Sequence, residues 1–179
     1  MLDLELKASN LHWLLEGNPH GDCCVHGGVF LRLGEYVISS GDVEWTVSTA
    51  AFNLLRTVFH DHRVGENVES LIPCCGFNMW PIESAPDGLY IPNCSNGIDW
   101  DIRHEGRLLM HRISTDKEVC TQLLDWTRSV CDFADEVHNF FYTAWPKNIS
   151  REEDKKGFEL FMSLWNQRRA AAQTIINAG

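Results

Sequence analysis

The run Thr115–Tyr142, TDKEVCTQLLDWTRSVCDFADEVHNFFY, decides how this chain is read. Thr115 and Glu118 stand at the spacing of a capping box, where each side chain satisfies a free amide of the first helical turn. Val119, Leu123, Trp126, Val130, Phe133, Val137 and Phe140 then recur every three or four residues, which draws one apolar face along a helix. The pattern predicts a long helix from Thr115 to about Tyr142, stopped by Pro146. Ser150-Arg-Glu-Glu153 repeats the box signature and predicts a second helix with Phe158, Phe161, Met162 and Trp165 on one face. The tail Ala170–Gly179 lacks a strong apolar stripe and is expected to fray.

Upstream of that run the period changes. Leu2, Leu4 and Leu6 alternate with polar residues, as a strand with one wet face does. Residues 16–23 read as a loop, and Val25–Leu33 and Glu35–Ile38 as two strands around Gly34. From Thr46 to His60 the apolar residues Val47, Ala51, Leu54, Leu55 and Val58 return to helical spacing. Breakers punctuate Leu71–Ile113 so densely that only short strands fit, clearest at Gly88–Asn93, Ile98–His104 and Arg107–Ile113. Gly106 marks a tight hairpin between the last two. Strands followed by helices imply an α+β fold, an antiparallel sheet packed by one central and two long C-terminal helices. A length of 179 residues fits one domain, 1–179, with strands and one helix over 1–113 and helices over 114–179.

Charge is distributed unevenly. Residues 1–113 carry 15 acidic against 7 basic side chains, and 114–179 carry 10 against 8. No Lys or Arg lies between Arg63 and Arg103, a span that holds Glu66, Glu69, Glu83, Asp87, Asp99 and Asp101 among Phe77, Trp80, Tyr90 and Trp100. Such a surface repels nucleic acid and attracts a cationic partner. Asp99 and Asp101 are expected on one strand face, with Trp100 on the other packing into the core. No segment has the roughly 20 apolar residues of a membrane helix. The N-terminus lacks the basic-then-apolar order of a secretory signal. Seven cysteines are an odd count, with vicinal pairs at Cys23-Cys24 and Cys74-Cys75, so reduced thiols and a cytoplasmic protein are expected.

Two chemical readings compete with a binding role. Cys24, His26, Cys74, Cys75, Cys94 and His104 offer soft ligands for zinc or a thiol-dependent enzyme. Spacing argues against them, because neither CxxC nor HxxxH occurs, and buried thiols behave as small hydrophobes. Carboxylates nearby are also expected to raise a thiol pKa. His60-Asp61-His62 is expected to cap the C-terminal end of the first helix. No phosphate-binding glycine loop, HExxH or GxSxG is present. The residues therefore predict no catalytic group, no cofactor and no metal.

The blocks Cys24-Val-His-Gly-Gly28, Pro73-Cys-Cys-Gly-Phe77, Asn96-Gly-Ile-Asp-Trp100 and Phe133-Ala-Asp-Glu-Val137 with Pro146-Lys147 look like those of small bacterial proteins. In general character the chain resembles the immunity proteins encoded beside polymorphic and contact-dependent growth-inhibition toxins. That resemblance implies a small, acidic, cytoplasmic, non-enzymatic protein, monomeric until it binds a basic toxin domain, often a nuclease. It carries no functional residue over by motif, so the interface is read from charge and exposure. Glu66, Glu69, Glu83, Asp87, Asp99 and Asp101 are expected as electrostatic contacts, with Trp80 or Tyr90 as the anchor.

Overall fold

Eleven elements follow one another in a computed structural model that describes residues 3–15, 17–65, 70–76, 78–92 and 94–179. Strands β1 (Leu4–His12), β2 (His26–Leu33) and β3 (Tyr36–Trp45) form an antiparallel meander. Leu6 sits opposite Leu31 and Leu4 opposite Leu33, so the alternating leucines of β1 turn inward together. Leu33 pairs with Tyr36 across a two-residue turn in which Gly34 takes a φ of 60°.

Helix α1 (Val47–Thr57) follows directly and is buried on nearly every side, as a helix at the centre of a fold must be. After it come the short ribbon β4 (Trp80–Pro81) and β5 (Leu89–Tyr90), and a second meander of β6 (Asp101–Glu105), β7 (Leu108–Ser114) and β8 (Lys117–Gln122). Helix α2 (Leu123–Phe141) packs on α1, β1 and α3 (Glu152–Ala178), and α3 carries the β4–β5 ribbon. Trp100, Trp126 and Trp165 are fully buried between these layers. The Trp126 indole keeps its hydrogen bond by donating to Thr57 Oγ1 at 2.9 Å. The architecture is α+β, with a central helix and two long C-terminal ones. Its strands divide, among the described residues, into three antiparallel sheets instead of one.

Thr115 does not cap a helix: Ser114 pairs with Lys117, so Thr115-Asp116 is a hairpin turn and 117–122 form β8. Val119 and Thr121 point inward at period two, and β7 gains a partner along its second edge. Val119 fits both periods, so the apolar stripe runs on from the strand into the helix. Helix α2 starts at Leu123, without a side-chain cap.

Ser150 does not cap α3 either. Arg151 occupies that position without a side-chain bond, and Glu152, Glu153 and Asp154 favour the positive helix end instead. Nor does the tail fray, because α3 continues to Ala178. Arg169 forks onto Asp135 of α2 with two 2.7 Å hydrogen bonds, and Ala172 is buried.

The His60-Asp61-His62 segment lies beyond the end of α1 and reaches across to the second meander. Asp61 accepts from the His104 amide at 2.8 Å, and His62 pairs with Ile102 as an isolated bridge. Among the described residues, no helix is long and apolar enough to cross a membrane.

Candidate functional site

The ribbon β4–β5 is too short to stand alone and is held from below by α3. Gly157 of α3 lies so close to the Met79 carbonyl that a Cβ there would collide with it. Leu89 turns into the core, while Trp80 and Tyr90, paired across the ribbon, face outward with ring centroids 6.1 Å apart. They are 39% and 41% exposed, with Ile82 at 38% beside them.

The connection between the strands carries exposed Glu83 and a tight turn at Pro86–Gly88, where Asp87 takes a left-handed φ of 56°. Asp87 accepts from Arg168 Nη2 at 2.6 Å. Arg168 also donates to the Phe52 carbonyl at 2.9 Å and stacks over the Phe52 ring at 3.9 Å, so one side chain ties ribbon, α3 and α1 together. No sequence pattern marked Arg168 for this task.

The other expected contacts are distributed differently. Asp99 Oδ1 lies 2.7 Å from His62 Nε2 and accepts the Leu71 amide at 3.1 Å, so it holds the chain between α1 and β6. The His62 side chain is almost wholly buried and that of Asp99 only slightly exposed. Asp101 accepts from the Val64 amide and borders a cavity of about 310 Å³ that also meets Arg63, Arg103 and Arg112. Trp100 between them is buried, as expected. Glu66, Glu69 and Phe77 lie outside the described residues. A span without bases in sequence is thus not one without bases in space. Asp87 and Asp101 meet arginines brought from elsewhere, and Glu83 is exposed in the connection that follows Trp80.

A second cluster forms where two loops meet. Ile72 and Ile98 bridge with reciprocal hydrogen bonds of 3.0 and 2.9 Å, which brings the chain after Ile72 alongside the chain before Ile98. Gly97 permits the approach, since a Cβ there would strike Ser70 and the Ile72 carbonyl. The Sγ atoms of Cys74, Cys75 and Cys94 consequently lie within 4.8 Å of one another, half-buried. Hydrogen bonds from Cys74 and then Cys75 pull the Cys94 thiol down to about 7, and Cys74, which keeps the shared proton, is pushed up to about 12. The expectation that carboxylates would raise every thiol fails at Cys94 because its nearest polar neighbours are hydrogen-bond donors.

Cys24, His26 and His104 do not join this group. Cys24 is buried against the Gly76 carbonyl, and burial raises its pKa strongly. His104 is engaged by Asp61 at 2.9 Å. His26 is buried with Nε2 unpartnered.

Comparison with family models, curated proteins and solved structures returned no match.

Proposed function

We propose that the chain is an immunity-type protein that binds a basic toxin domain, a nuclease by preference, in the cytoplasm and neutralises it by covering the active site. The observation that carries this reading is the Trp80–Tyr90 pair, half-exposed on a ribbon latched to α3, with Ile82 and Glu83 beside it. Single exposed apolar residues are ordinary. Two large rings held together on a fixed support are the kind of anchor that dominates interface energetics. A net charge of −10 supplies the complementary long-range field for a cationic partner. Glu83 stands where it can occupy a phosphate subsite of a nuclease, while the rings exclude water around it.

An enzyme draws less support. His62 and His104 are each engaged by a carboxylate, Asp99 at 2.7 Å and Asp61 at 2.9 Å, so both rings are held in contacts between segments of the fold.

The test is co-purification with the C-terminal domain of a toxin encoded immediately upstream, followed by a nuclease assay. Stoichiometric binding that abolishes cleavage, lost in Trp80→Ala with Glu83→Lys, is the expected result. A metabolic gene neighbourhood, with no such domain bound, overturns the reading. Binding that survives those changes but is lost in Glu153→Lys moves the interface to α3.

A further inference from the structure

We propose that Cys74, Cys75 and Cys94 form a binding site for a thiophilic d10 cation, Zn²⁺, held by three thiolates with the fourth position open to water. The geometry is close to what the ion needs. Zinc bonds to thiolate sulfur at about 2.3 Å in a tetrahedron, so two ligand sulfurs stand about 3.8 Å apart. Cys74 Sγ and Cys75 Sγ are 3.7 Å apart, and all three sulfurs lie within 4.8 Å. Vicinal cysteines ordinarily splay to opposite sides of the chain. Here both turn toward Cys94, and this convergence of three thiols is the observation that sequence spacing concealed.

The surrounding scaffold fits a loaded site. The Ile72–Ile98 bridge fixes both loops on one side of the cluster. On the other side, three bonds tie 73–76 to the start of α1: the Thr46 amide to Pro73 O at 2.9 Å, Thr46 Oγ1 to Cys74 O at 3.4 Å, and Thr49 Oγ1 to Gly76 O at 2.7 Å. The cysteine segment thus lies against the N-terminal end of an eleven-residue helix. The half-buried sulfurs leave the site reachable, and each thiol that binds gives its proton to solvent. Loaded, the site would cross-link two loops otherwise joined by one bridge, and binding of the ion does not depend on the proposed partner.

The experiment titrates the reduced, metal-free full chain with Zn²⁺ against a chromophoric chelator, with Cys75→Ser, Cys94→Ser and, as control, exposed Cys120→Ser. One zinc per chain is expected. Affinity should fall by about 100-fold or more in the first two variants, since losing a ligand costs more than the 10–100-fold of an outer-sphere change. Cys120→Ser should match the parent. Co²⁺ in place of zinc should give a sulfur-to-cobalt charge-transfer band that Cys94→Ser removes, and far-UV circular dichroism should show that variant still folded. Absence of zinc uptake by the reduced parent overturns the proposal. So does uptake retained in both cluster variants, or loss of two cluster thiols to a disulfide that forms as readily with zinc present.

Discussion

Arg168 Nη2 meets Asp87 Oδ2 at 2.6 Å, and this contact binds the aromatic ribbon to the C-terminal helix. The guanidinium side chain is 13% exposed and the carboxylate 44%, so the two partners differ in how much they lose when the pair is broken. Arg168→Met removes the ion pair, the bond to the Phe52 carbonyl and the stacking on the Phe52 ring. It should lower unfolding free energy by about 2 kcal/mol, because a buried acceptor loses its donor. Asp87→Asn changes a half-exposed partner and should cost less than about 1 kcal/mol. Urea denaturation of both variants measures the difference, and equal costs would place the energy in the ion pair itself.

Gly157 inverts the usual helix rule. Alanine in a helix interior is ordinarily favoured over glycine by about 1 kcal/mol. At this position a Cβ meets the Met79 carbonyl, so Gly157→Ala should instead destabilise by about 1–3 kcal/mol as the ribbon is pushed off α3. Trp80 directly follows Met79, so the emission of the folded variant should shift to the red. A stabilised variant would mean that the ribbon gives way freely.

Stability should fall with acid in a window set by histidine. Trp100 Nε1 donates to His111 Nδ1 at 3.3 Å, and His111 Nε2 lies 2.9 Å from Thr121 Oγ1, an arrangement of the neutral ring. Burial lowers His111 to about 3, and His26 and His138 are lowered for the same reason. A folded pKa below the unfolded one means that the unfolded chain binds more protons between those values. Stability from His111 is therefore complete above about 6.5 and lost progressively toward pH 3, at up to about 1.4 kcal/mol per pH unit. The carboxylates lowered by their partners, Glu5, Asp61 and Asp116, add loss of the same sign only at lower pH. Denaturant midpoints at pH 7, 6 and 5, with imidazole resonances followed by NMR, check this. A His111 ring that protonates in the folded state near pH 6 would refute it.

Partner binding should weaken with salt. If Glu83 and the acidic field guide a basic toxin domain, raising NaCl from low to physiological strength should slow association while dissociation changes little. Glu83→Lys should act on the association rate and Trp80→Ala on the dissociation rate, with both variants unfolding as the parent does. Stopped-flow fluorescence separates the two. An association rate indifferent to salt would remove electrostatics from the mechanism.

Periodicity determined the α+β class, the central helix, the inward leucines of β1 and the burial of Trp126 and Trp165, because alternation and helical spacing are properties of the chain alone. It also made Trp80 and Tyr90 visible as rings in a breaker-rich stretch. Only the tertiary structure decided the rest. Val119 satisfies both a strand and a helix, and an unpaired edge on β7 chose the strand. Thr115 and Ser150 carry a capping signature, yet the turn and the acidic first turn of α3 took over its work. The acids of the basic-free span were legible, but not that Arg168 and Arg112 would come to Asp87 and Asp101 from 81 and 11 residues away. Cys94 joins Cys74 and Cys75 only because Ile72 and Ile98 bridge. Local spacing records which side chains share a face. Which charges and thiols share a site depends on chain crossings that no spacing encodes.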